Sequence, residues 1–144
     1  MKNIVSITDS EHMSRMIDLY LRCFMNEYID FYFMTYNQKL LSNNLFSNTD
    51  LFILELFRRD DIGYSAEAIF IAEKWAALQK KILIISGCVK ADIVKSVGYW
   101  DIAASDSLQE RVSLLLDSPV SKPEEYYALR EVFKDYYRPV LSYH

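Results

Sequence analysis

The feature that most constrains the fold is an uninterrupted apolar run, Leu51 to Leu54, that ends on an acidic residue, Glu55. The segment reads DLFILELFRRDDIG, so a charged stretch follows the run and Gly63 closes it. A short apolar run without polar alternation is typical of a strand buried on both faces, in the middle of a parallel sheet. Ligands of open α/β sheets bind outside the carboxyl ends of the strands, so Glu55 is predicted to lie at the functional edge.

The rest of the chain alternates strand-like runs with helical patterns. Further strands are predicted at residues 2–8, 30–36, 82–86 and 99–103. Helices are predicted at 11–25, 38–46 (weak), 66–81, 87–97 (brief) and from a cap at Asp106 or Ser107 to Leu116. The order βαβαβαβαβα implies a parallel sheet with helices on both faces and right-handed crossovers.

A tail follows this alternating region. Pro119 and Pro123 interrupt the chain, and a helix is predicted from Glu124 to Tyr137. Its apolar residues fall mostly on one stripe. Residues 1–117 are therefore expected to form one domain, with residues 118–144 as a helical extension that packs either on this domain or on a partner.

Composition narrows the class of protein. The net charge is −4 and the 16 basic residues are scattered along the chain, so no nucleic-acid partner is expected. No stretch approaches the length of an apolar membrane span, so no membrane association is expected either. Cys23 and Cys88 show no metal-type spacing, and no signal peptide precedes them. They are expected to be reduced thiols of a cytoplasmic protein.

Catalytic and cofactor motifs are missing from the sequence. With three glycines it contains no GxGxxG and no P-loop, and neither His12 nor His144 has a serine or cysteine at motif spacing. No enzymatic activity and no cofactor are therefore expected. Asp9 and Glu55 are the weak candidates for Mg²⁺, but no metal is expected because magnesium sites of this kind usually also involve a phosphate. Asp60 and Asp61 are more simply interpreted as part of a solvent-exposed charged turn.

Five α/β units with an acidic residue closing the third strand resemble the receiver domain of two-component response regulators, over residues 2–117. DLFILE resembles the third strand of that family, whose last residue is the phosphoaccepting aspartate, and Gly63 has the family's spacing from it. ILIIS resembles the fourth strand, with Ser86 at the family's hydroxyl position. KNIVSITDS resembles the first strand, which ends in a magnesium-binding acidic pair. The resemblance implies a flavodoxin-like (βα)5 three-layer sandwich whose five-stranded parallel sheet has the order 2-1-3-4-5.

Three functional positions depart from the family pattern. The acceptor position carries Glu55, whose carboxylate lies one methylene further out than that of aspartate. Thr8 replaces one member of the acidic pair and leaves only Asp9. The family carries a lysine at the end of the fifth strand, and here that position is occupied by Ala104 or Ser105. The chain therefore resembles a pseudo-receiver, which is not phosphorylated and acts through protein contacts.

Several alternatives remain open at this stage. Glu55 is either a strand-end carboxylate with a structural role or a permanent imitation of the phosphorylated acceptor. Two other functions are possible interpretations of the sequence. One is a working phosphoacceptor with unusual residues, and the other is a flavodoxin-like domain that binds a small ligand. The contact surface, for a protein partner or a second copy, is expected to involve the exposed members of four aromatic residues: Tyr99, Trp100, Tyr127 and Phe133.

Overall fold

The computed structural model describes residues 2–8, 11–25, 29–34, 43–55, 58–59, 63–64, 67–86, 98–101, 107–120 and 122–133. The strands are β1 (Lys2–Ile7), β2 (Ile29–Met34), β3 (Leu51–Glu55), β4 (Arg58–Arg59), β5 (Gly63–Tyr64), β6 (Ile82–Ser86) and β7 (Tyr99–Asp101). The helices are α1 (Glu11–Met25), α2 (Asn43–Asn48), α3 (Glu67–Ala77), α4 (Leu108–Asp117) and α5 (Pro123–Phe133). None of the helices in these ranges combines the length and the apolar character needed to cross a membrane.

The main sheet is parallel throughout. Its strands pair in the order β2-β1-β3-β6-β7, and all of the pairs run in the same direction. The central strand, β3, is buried along its whole length. The α/β class and the parallel sheet expected from the sequence are therefore confirmed.

A separate apolar core lies on each face of the sheet. Phe52 and Leu54 of β3 pack into one core with α3 and α5, whereas Leu51 and Ile53 pack into the other with α1 and α4. Successive side chains of a strand point to opposite faces, so each core receives alternate residues of β3. This arrangement explains why the strand shows no polar alternation.

Local sequence explains several helix boundaries. Ser107 is the N-cap of α4, and its side chain accepts a hydrogen bond of 3.2 Å from the backbone N–H of Glu110. Just after the C-terminus of α3, Gln79 adopts a left-handed backbone conformation with φ of 66°. This conformation ends the helix and directs the chain into β6. Of the two predicted caps for α4, Ser107 is the one observed.

Two local predictions differ from the structure. The helix predicted at 38–46 overlaps α2 at Asn43–Asn48, and residues 38–42 lie outside the described residues. Directly after α2, Thr49 Oγ1 donates a 2.6 Å hydrogen bond to the carbonyl oxygen of Leu45. The charged stretch after Glu55, interpreted from the sequence as containing a turn, also contains the antiparallel strand pair β4–β5, which was not predicted. The predicted helix at 87–97 lies outside the described residues.

The helix of the C-terminal extension packs on the same chain. Tyr126 and Leu129 of α5 are buried in the core that α3 forms with the sheet. The Tyr126 hydroxyl donates a 2.6 Å hydrogen bond to the carbonyl oxygen of Ile82 in β6. The extension was expected to pack either on its own domain or on a partner, and α5 packs on its own domain.

Candidate functional site

Three of the predicted site residues meet at the carboxyl edge of the sheet. Glu55 is the last residue of β3, Thr8 follows β1 directly, and Ser86 is the last residue of β6. In the parallel register Ile7 pairs with Leu54, so Thr8 follows beside Glu55. Glu55 in turn pairs with Ile85, so Ser86 lies one residue beyond it. The strand ladder alone therefore brings these three positions together.

A direct hydrogen bond joins two of these residues. Thr8 Oγ1 donates to Glu55 Oε1 at 2.6 Å. A distance of this size is typical of a hydroxyl bound to a charged acceptor, which makes a stronger bond than two neutral partners do. The contact spans 47 residues of sequence and joins the ends of β1 and β3.

The three side chains are buried. Glu55 is 5% exposed, and Thr8 and Ser86 are each 2% exposed. A buried carboxylate is costly unless hydrogen-bond donors compensate for its lost hydration, and the Thr8 hydroxyl is one such donor. Glu55 is therefore an internal, hydrogen-bonded side chain.

Of the two candidate magnesium ligands, Glu55 and Asp9, only Glu55 lies among the described residues. Among the described residues there is no group of three or more histidine, cysteine, aspartate or glutamate side chains that could hold a metal ion. Mg²⁺ requires nearly octahedral oxygen coordination, with at least one or two carboxylates open to the ion. Glu55 is buried and already accepts a hydrogen bond from Thr8. The other candidate ligand, Asp9, lies outside the described residues.

One acidic residue at this edge was not singled out in the sequence. Asp101 is the last residue of β7 and pairs with Ser86 in the register of β6 and β7. The sequence placed it inside a longer fifth strand, because the apolar residues after it continue the strand pattern. Ala104, the position where the family would carry a lysine, lies outside the described residues.

The aromatic residues expected at an interaction surface separate into two groups. Tyr99 and Trp100 are 2% and 5% exposed and belong to the two cores on opposite faces of the sheet. They are therefore not surface residues, because adjacent residues of β7 point into opposite cores. Tyr127 of α5 is 48% exposed, so it is a surface residue, as an interaction surface requires. Phe133 is the last residue of the same helix.

Comparison of the chain with protein-family models and with curated proteins gave no match.

Proposed function

We propose that the protein is a receiver-like (pseudo-receiver) domain in cytoplasmic signal transduction of the two-component type. In this proposal the domain is not phosphorylated, has no enzymatic activity and acts through contacts with a protein partner or a second copy of itself. The proposed fold is a flavodoxin-like (βα)5 sandwich with strand order 2-1-3-4-5. The parallel pairing of β1, β3 and β6 and the two apolar cores support that fold.

The hydrogen bond between Thr8 and Glu55 carries the proposal. In a working receiver the acceptor carboxylate meets a phosphodonor and a metal ion at the end of the third strand. At the corresponding place Glu55 is buried and accepts a hydrogen bond from Thr8. In-line transfer needs the attacking oxygen close to the phosphorus and correctly aligned, and the burial of Glu55 restricts such access.

Surface residues support a role in protein contacts. Large apolar side chains are exposed on several helices, with exposed fractions of 61% for Leu19, 51% for Leu114 and 48% for Tyr127. Tyrosine is enriched at the energetically important positions of protein interfaces. The proposal therefore assigns signalling to the helical surfaces and a structural role to the carboxyl edge.

Treatment with acetyl phosphate and Mg²⁺, followed by intact-mass measurement under mildly acidic conditions, tests the proposal. We expect no phosphoryl adduct on this chain, while a competent receiver domain treated in parallel acquires one. A matched Glu55→Gln variant shows whether any adduct depends on the carboxylate.

An adduct on the parent chain that is lost in Glu55→Gln would overturn the proposal and identify a working phosphoacceptor with unusual residues. The ligand-binding alternative requires an accessible cleft beside Glu55 and Ser86. The burial of both residues weighs against it.

A further inference from the structure

A cavity of about 260 Å³ opens at the opposite edge of the sheet from Glu55. Its lining includes Lys2 at the start of β1, Asp50 just before β3, and Lys81 just before β6. These positions are the amino ends of neighbouring parallel strands. The cavity is therefore separate from the carboxyl edge and from the residues on which the proposed function rests.

The lining of the cavity carries an excess of positive charge. Lys2, Lys80 and Lys81 contribute three ammonium groups, against the single carboxylate of Asp50. That carboxylate accepts a 2.8 Å hydrogen bond from the backbone N–H of Asn3, so the fold already uses part of its acceptor capacity. The chain as a whole has a net charge of −4, so this concentration of lysines is a local feature of the cavity.

Two of the lysines are held in place by the fold. Lys81 Nζ donates a 2.7 Å hydrogen bond to the carbonyl oxygen of Leu116, near the C-terminus of α4. Lys80 Nζ lies 3.3 Å from the carbonyl oxygen of Ser47 and 4.9 Å from the centre of the Phe46 ring. Carbonyl groups at helix C-termini attract cations, so these contacts stabilise the fold. Each ammonium has three N–H donors, and the contacts with these carbonyl groups leave donors that a ligand can use.

Lys2 differs from the other two lysines. Its side chain is exposed, and it forms no hydrogen bond or ion pair with the described residues. Unlike Lys80 and Lys81, Lys2 is therefore not bound to a carbonyl group near the C-terminus of a described helix. The exposed side chain of Lys2, which lines the cavity, can therefore contact a bound anion.

We propose that this cavity binds a small, soluble anion that carries a phosphate group. Lysine is a common phosphate ligand that acts as a point charge, and a phosphate offers several strong acceptor oxygens to donors converging from different sides. The cavity is slightly smaller than the pockets of about 300–1,000 Å³ that hold drug-sized ligands, so the ligand is small. Such an anion would connect Lys2 of β1 with Lys80 and Lys81, which join α3 to β6.

Titration of the full chain with inorganic phosphate and with glycerol 3-phosphate, at constant ionic strength, tests the proposal. Binding is followed by the rise in Tm and by chemical shifts of the protein, with chloride as the reference anion. A ligand that binds only the folded state raises Tm in a concentration-dependent way. We expect Lys2→Gln to weaken the affinity about tenfold, since one charged hydrogen bond is lost.

Lys74→Gln is the matched control, because Lys74 is an exposed lysine of α3 outside the cavity. It is expected to leave phosphate binding unchanged. Equal responses of the two variants, or equal effects of chloride and phosphate, would show general screening and overturn the proposal. Binding to phosphatidate vesicles without any response to the two soluble phosphates would also overturn it, because the ligand would then be a lipid headgroup.

Discussion

The hydroxyl group of Tyr126 donates a 2.6 Å hydrogen bond to the carbonyl oxygen of Ile82, 44 residues away in sequence. Ile82 is the first residue of β6, and the pairing of β6 with β7 begins only at Ile84 and Tyr99. The fully buried tyrosine thus provides a donor for a backbone carbonyl that precedes this pairing. This contact attaches α5 to the sheet by a specific polar bond as well as by apolar packing.

Replacement of Tyr126 by phenylalanine tests that bond. Tyr126→Phe keeps the ring but removes the donor to the buried carbonyl oxygen, so we expect the free energy of unfolding to fall by about 1–3 kcal/mol. Urea denaturation measures the change. Tyr127→Phe, at the exposed neighbouring position, is the control and should have a smaller effect. Equal effects would mean that the Tyr126 hydroxyl contributes no more than an exposed one.

A side chain at Gly98 is predicted to clash with the ring of Tyr126. A Cβ atom at this position would lie 2.9 Å from Tyr126 Oη and 3.1 Å from its Cε1. We expect Gly98→Ala to destabilise the protein by about 1–3 kcal/mol, as overpacking does. The cost should be smaller in a Tyr126→Leu background, because the ring that causes the clash is gone. A double-mutant cycle by urea denaturation measures this coupling, and strict additivity would contradict the steric explanation.

The Thr8 hydroxyl is predicted to stabilise the carboxylate of Glu55. Thr8→Val has nearly the same shape but leaves this carboxylate without one donor, so we expect a loss of about 1.5–3 kcal/mol at neutral pH. In a Glu55→Gln background the same substitution should cost about half as much, because a neutral acceptor forms a weaker bond. Chemical denaturation of the four proteins measures both costs. A neutral or stabilising Thr8→Val would show that the bond adds nothing to stability.

Leu129 belongs to the C-terminal extension and is buried in the core, so its truncation is predicted to destabilise the whole protein. It is 1% exposed, so Leu129→Ala should lower the free energy of unfolding by about 2–5 kcal/mol. Leu114→Ala is the matched control at a position that is 51% exposed, and it should change stability by about 0.5 kcal/mol or less. Thermal and urea unfolding of both variants decide the question. A loss of about 0.5 kcal/mol or less for Leu129→Ala would contradict the role of α5 in the core.

The central part of the fold could be predicted because its signals are local and strong. The apolar run of β3 has no polar alternation, and this pattern alone indicates burial on both faces. The apolar spacing of α1 gave its limits, Glu11–Met25, directly. The pair β4–β5 could not be predicted in the same way, since each strand has two residues and neither shows a period.

Contacts between segments far apart in the chain were harder to predict from the sequence. The ends of the first and third strands could be placed at one edge, but the bond between Thr8 and Glu55 depends on the register between β1 and β3. The apolar stripe of α5 predicted burial without identifying the surface that it covers. For Trp100, the sequence could not distinguish a surface aromatic residue from a core one, because Tyr99 and Trp100 are adjacent aromatic residues and give no polar alternation.

The packing of α5 also affects how the protein folds during synthesis. The core that contains Ile82 and Tyr99 is completed by Tyr126 and Leu129, which the ribosome adds much later than the strands they cover. Nascent chains therefore expose part of this apolar surface until α5 has left the exit tunnel. Exposed apolar surface of this kind makes partly folded chains prone to aggregation.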